Sequence, residues 1–191
     1  VERMNEESAN ALLKVMEEPP EGVLFLLTAD SLAGVLPTIR SRCISFAVAP
    51  VSPEDCARYC TAQGVGAKDA ALYSALFDGH IGTVLAAARD EARREQVDRA
   101  LALAKAAAAR DSYAAAVLLA AYEKDKAGAT ALLADFRAVA AAGLRGSPHS
   151  PVEGETARKA LGAADAAMQQ IGAQVNPKIV LSVLAAKFRT F

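Results

Sequence analysis

From position 5 to position 18 the chain reads "NEESANALLKVMEE", and Ala9, Leu12, Leu13 and Met16 recur at spacings of three and four. One apolar stripe at that period predicts an amphipathic helix. Asn5 is a suitable cap, and Glu6 and Glu7 suit the first turn. Pro19-Pro20 ends the helix, because proline disfavours helical dihedrals in the residue before it. "GVLFLLTA" (22–29) is a continuous apolar run of strand length, which predicts a strand buried on both faces, as in a parallel sheet. "LPTIRS" predicts a short helical turn and "CISFAV" a second short strand.

At Ala49 the pattern changes, and no further strand is predicted. Ser52 as cap, Pro53 at the first helical position and Asp55 after it make a strong helix start, with Gly64 and Gly66 ending that helix. "KDAALYSALFDG" predicts the next helix, and 81–111 holds one or two more. Further helices are predicted over 112–123 and 128–142. "GLRGSPHSPVEG" (143–154) has the glycine, proline and serine content of an exposed loop. Two helices close the chain, the last with Asn176 as cap and Pro177 at its first position.

The order is thus helix, strand, strand, then helices only, a mainly α fold. A two-stranded piece of parallel-type sheet cannot close its own core. Residues 1–48 are therefore expected to be the last portion of a larger α/β domain with earlier strands upstream. The helical remainder is expected to divide near Arg89–Arg94, into a three-helix unit over 49–90 and a larger bundle over 91–191. The charged start "VERMNEES" lacks an apolar signal core and a starter Met, so the chain is expected to be a fragment.

Composition supports helix over strand. Apolar residues make up 53% of the 191 positions, dominated by Ala and Leu, and aromatics only 5%. The formal net charge is −1, which gives no bulk drive toward DNA or an anionic membrane. No run reaches the roughly 18 apolar residues that a membrane helix needs. Cys43, Cys56 and Cys60 are an odd, low count of cysteines, which predicts a reduced, cytoplasmic protein. Cys56 and Cys60, four apart on a predicted helix, could seat two metal ligands. A complete zinc site needs about four donors, and neither His80 nor His149 is near in sequence, so core or surface thiols are expected and no metal.

One stretch calls for a chemical reading. "LLTADSLAGVLPTIRSRC" (26–43) delivers Arg40 and Arg42 on a tight turn just before the chain becomes apolar again at Ile44. "ANALLKVMEEPP" (9–20), followed by "LFLLTAD" and "LPTIRSRC", resembles bacterial DNA polymerase III clamp-loader subunits of the delta-prime and gamma/tau types, which are AAA+ proteins. The combination of an Asn-Ala-Leu-Leu-Lys helix, Glu-Glu-Pro-Pro and Ser-Arg-Cys runs over some 35 residues of this chain (9–43). The closing "QVNPKIVLSVLAAKF" is similar to the start of the last collar helix of delta-prime. The resemblance implies that 1–48 is the end of an AAA+ core, 49–90 its three-helix lid, and 91–191 a helical collar that holds the loader ring together.

It also implies a role for Arg42, as an arginine finger reaching into a neighbouring subunit's ATP site. Phosphoryl transfer spreads negative charge over the γ-phosphate oxygens, and a fixed guanidinium opposite them stabilises it. Arginine suits this better than lysine, since it stays charged and presents a rigid fork of donors. Ser41 and Cys43 would then be turn and packing residues. Spacing alone favours pairing of Arg42 with a local carboxylate or helix C-terminus; the motif favours the trans-acting role.

The chain has no G-x-x-x-x-G-K-[ST] loop, so ATP is expected to be bound by neighbouring subunits and not by this chain. Active ATPase subunits of the family carry a lid arginine where "GHIGTVL" places Gly82, and Thr28-Ala29-Asp30 only loosely fits their γ-phosphate-sensing threonine. Both departures favour a non-hydrolysing, delta-prime-like subunit. Its implied partners are gamma/tau and delta, with the sliding clamp and primer-template DNA reached through the complex, and no membrane. The alternatives are the C-terminal part of a gamma/tau-type ATPase, or a generic helical scaffold or DNA-binding bundle. His80 is expected to be a solvated cap, "ARREQVDR" a salt-bridged helix face, and Glu17 and Glu18 solvated.

Overall fold

A computed structural model of the chain describes residues 4–29, 31–49 and 51–191. Val1, Glu2 and Arg3 of the charged start, Asp30 of the Thr28-Ala29-Asp30 stretch, and Pro50 lie outside the described residues. The chain divides into two compact units, 1–49 and 50–191.

The first unit holds α1 (Glu6–Glu17), a 3-10 turn (Leu32–Gly34) and α2 (Pro37–Arg40). The Asn5 side chain caps α1 by accepting from Ser8 N at 2.8 Å, which satisfies an amide with no partner inside the helix. Ala9 of α1 meets Val35 and Ile39, all three buried, and Leu12, Leu13, Met16, Leu27 and Cys43 close around them. This is the stripe that the spacing predicts.

The two expected strands do not form: residues 23–29 and 44–49 are irregular, and no strand occurs among the described residues. A strand is held by a neighbour's N–H and C=O groups, which an apolar run alone cannot replace. Nor are these segments buried on both faces. Leu27 turns onto the small core, while Leu24 and Leu26 are 81% and 84% exposed, and Ile44, Phe46 and Val48 are 84%, 84% and 94% exposed.

The second unit contains α3 (Pro53–Ala62), α4 (Ala67–Leu76), α5 (Ile81–Arg89), α6 (Glu91–Ala108), α7 (Ser112–Ala120), α8 (Lys126–Leu144), α9 (Gly154–Gly172), α10 (Pro177–Lys187) and a closing 3-10 turn (Phe188–Thr190). Ser52, Asp90, Asp111, Asp125 and Asn176 each cap the helix that follows through a side-chain oxygen. Asp90 therefore splits the 81–111 stretch into α5 and α6.

Helix α8 is the centre of this unit, packing on α9 and α6. Its Leu132, Leu133, Phe136 and Val139 share one buried core with Ala157, Ala160, Ala164 and Ile171 of α9 and Val97, Ala100, Leu103 and Ala107 of α6. Alanine on both neighbours lets the helices approach closely, and the larger side chains fill the remaining space. Phe136 stacks on Phe188 at 5.8 Å, and Phe188 lies 4.8 Å from Phe191. One continuous core runs from Cys56 to Phe191, so the division expected at 90/91 passes through it.

Two details differ from expectation. Among the described residues one helix, α8, is long and apolar enough to cross a membrane by length and composition. Its Leu132, Leu133, Phe136 and Val139 are buried in the core and its Asp135 is ion-paired, the placement of a core helix. The 143–154 segment is only partly an exposed loop: Gly143 and Leu144 complete α8, Val152 is buried, and Ser150 Oγ donates to Val139 O at 2.8 Å.

Candidate functional site at the Ser41-Arg42-Cys43 turn

Pro37 starts α2 with its dihedral pre-set, and Ile39, 1% exposed, pins the helix to α1. The turn that follows is closed by backbone bonds from Ser41 N to Pro37 O at 2.9 Å, Arg42 N to Ile39 O at 3.1 Å and Cys43 N to Arg40 O at 3.3 Å. Ser41 Oγ donates to Thr38 O at 3.0 Å, and Cys43 is half-buried against the α1–α2 core. Arg40 is exposed.

Arg42 stands between these two neighbours with its side chain 39% exposed. Its Nη1 donates to Thr38 O at 3.0 Å and lies 3.4 Å from Ser41 Oγ, and its Nη2 donates to Glu17 Oε1 at 2.6 Å. The carbonyl belongs to the last turn of α2, where the helix dipole places partial negative charge. Glu17, expected to be solvated, is a partner of Arg42 while remaining half exposed. The signal in the sequence is the register of α1, which ends against Pro19-Pro20 with Glu17 one turn beyond Leu13 of its apolar face.

The other candidates lie apart from this turn. Cys56 and Cys60 are both buried in α3; burial pushes the Cys60 thiol up, and the neighbouring Cys56 adds to the shift. Among the described residues no three His, Cys, Asp or Glu side chains gather to hold a metal ion. His80 is exposed at the cap of α5, where Nδ1 lies 2.6 Å from Phe77 O. Gly82 is exposed in the first turn of α5, and a Cβ built there would meet nothing within 4 Å. Thr28 and Ala29 are exposed. In "ARREQVDR", Arg99 pairs with Glu95 at 3.4 Å as the interleaved charges suggest. Arg93 finds its partner 42 residues away, at Asp135 of α8.

Residues 1–52 match the family described as DNA polymerase III, delta subunit. That match takes in 52 of the 191 residues. More particularly, the chain is similar to DNA polymerase III subunit delta' of Haemophilus influenzae, at 60% identity over 42 residues, or 22% of this chain and 13% of the relative. It is similar to subunit gamma of Buchnera aphidicola subsp. Schizaphis graminum, at 42% over 55 residues, or 29% and 15%. It is also similar to subunit gamma/tau of Mycobacterium tuberculosis, at 42% over 65 residues, or 32% and 11%. The matched stretch is thus a small part of each relative's length.

Proposed function

We propose that this chain is a delta-prime-like clamp-loader subunit that does not hydrolyse ATP itself. It contributes to the loader ring through its 91–191 helices and offers Arg42 to a neighbour's ATP. The observation that carries this reading is the position of Arg42. It lies within the matched 52 residues, on a turn anchored by a buried isoleucine, with its guanidinium still partly open to solvent. An arginine on a rigid base at a surface is what stabilisation of charge on someone else's γ-phosphate requires. Gly82, which has no side chain to contact a phosphate, supports the non-hydrolysing type, as does the higher identity to a delta' relative. Gamma/tau and delta are the implied neighbours, sliding clamp and primer-template DNA are reached through the assembled loader, and the setting is cytoplasmic.

The test is Arg42→Ala in the full-length protein, reconstituted with its loader partners. The ring should still assemble, while ATP turnover at the site served by Arg42 falls by about 10³-fold. Unchanged turnover overturns the proposal. The gamma/tau reading draws on relatives of that name, and it predicts instead that the isolated full-length subunit binds and hydrolyses ATP.

A further inference from the structure

We propose that Glu17 is a positioning residue for Arg42, fixing the direction in which the guanidinium is presented; this rests on the reading of Arg42 as a trans-acting arginine. Two stretches that stand 25 residues apart in the chain, "MEEPP" and "SRC", meet at one hydrogen bond, Arg42 Nη2 to Glu17 Oε1 at 2.6 Å.

The geometry explains why a single carboxylate can set the direction. A guanidinium has five N–H donors in a fixed plane. Nη1 is held from one side by Thr38 O at 3.0 Å, with Ser41 Oγ at 3.4 Å, and Nη2 from the other by Glu17. Restraint at two different nitrogens fixes both the swing of the side chain and the tilt of the plane. Nε–H and the second Nη2 hydrogen have no partner among the described residues and remain for an acceptor outside the chain. With Glu17 removed, only the α2 end would hold the group, and the plane could turn about that contact.

Glu17 is itself a firm anchor. It is the last residue of α1, whose Ala9, Leu12, Leu13 and Met16 pack in the same small core as Ile39 and Cys43 on either side of Arg42. Pro19-Pro20 prevents the helix from running on. Carboxylate and guanidinium are therefore referenced to one core. Because both are substantially exposed, at 52% and 39%, the pair contributes little to stability. Loss of the carboxylate should be felt in the chemistry and not in folding.

The experiment uses the full-length protein in the reconstituted loader, with ATP turnover and thermal unfolding measured on Glu17→Ala, Glu17→Gln, Glu17→Asp and Arg42→Ala. For Glu17→Ala we expect kcat to fall about tenfold, the scale at which outer-shell orienting groups act, with KM for ATP and the thermal midpoint unchanged. Glu17→Gln keeps an acceptor oxygen at the same reach and should retain near wild-type turnover. Glu17→Asp keeps the charge but draws it back by one methylene, and should behave like the alanine variant. If Glu17→Ala does not assemble, the aspartate and glutamine variants decide the matter. Wild-type turnover in Glu17→Ala or Glu17→Asp, with Arg42→Ala impaired, overturns the role of Glu17 and leaves the arginine reading standing. Turnover above wild type in both Glu17→Ala and Glu17→Gln also overturns it, since Glu17 would then restrain Arg42 and not present it. Unimpaired Arg42→Ala removes the arginine reading itself.

Discussion

Arg93 of α6 and Asp135 of α8 are joined by two parallel hydrogen bonds, Nη2 to Oδ1 at 2.6 Å and Nη1 to Oδ2, in a setting where Asp135 is 4% exposed. Gln96 Nε2 donates to the same carboxylate at 2.8 Å, and the Arg93 guanidinium lies over the Phe77 ring at 5.5 Å. One buried carboxylate thereby ties α6 and α8 together and, through Arg93, the chain just beyond α4. Removing one partner of such a pair strands the other charge, whereas replacing both with apolar groups can be nearly neutral. Asp135→Ala should cost about 3 kcal/mol in urea unfolding of the 191-residue chain. Arg93→Met combined with Asp135→Leu should recover most of that loss, and a coupling near zero in the double-mutant cycle would count against the network.

Alkaline stability should follow Cys60 and Tyr73. Burial is the first cause of the upward shift at both; Cys56 adds to it at Cys60, and Asp69 and Asp98 add to it at Tyr73. A raised pKa means that the folded state holds its proton while the unfolded chain gives it up. The stabilising contribution is complete below the unfolded values and is lost as pH rises through the folded ones. Urea midpoints should therefore fall between about pH 8 and about pH 10.5. Cys60→Ala combined with Tyr73→Phe should flatten that dependence, whatever the variant's stability at pH 8.

Much of the fold was legible in the chain because its signals are local. Asn5, Ser52 and Asn176 each cap a helix at the predicted position, and the apolar stripe of α1 follows its spacing. The failures are the features that need a second segment. The runs at 23–29 and 44–49 have strand composition, but a strand exists only with a partner ladder, and none stands beside them among the described residues. The pairings Arg42–Glu17 and Arg93–Asp135 join residues 25 and 42 positions apart; the register of α1 sets the face on which Glu17 stands, but not which residue meets it. The motif singles out Arg42, and the fold places the Glu17 carboxylate beside it.

The exposed apolar residues around those runs lead to a separate expectation. Leu24, Leu26, Ile44, Phe46 and Val48 present a large apolar area to solvent without backbone ladders beneath them. Amides at 24–27 and 44–48 should exchange with solvent far faster than those of α8, whose i to i−4 bonds sit in the core. Hydrogen exchange followed by mass spectrometry on the 191-residue chain would decide it. Protection at 24–27 equal to that of α8 in a monomer would mean that this segment carries a hydrogen-bonded partner after all.

Two glycines near the start of α5 should respond in opposite directions to the same substitution. Gly79 has φ +73°, and a Cβ built there would lie 1.8 Å from the carbonyl oxygen of Val51. The backbone at Val51 leads into the Ser52 cap of α3, so relief of that contact would disturb a second helix start. Gly79→Ala should therefore cost about 2 kcal/mol or more, combining left-handed strain with the displaced carbonyl. Gly82 has ordinary dihedrals in the first turn of α5 and open space around its Cα. Alanine there reduces the freedom of the unfolded chain without a clash, and Gly82→Ala should stabilise by about 0.5 kcal/mol. Thermal or urea unfolding of the two variants side by side checks both signs; a neutral Gly79→Ala would mean that the Val51 carbonyl does not approach this turn as closely as the structure has it.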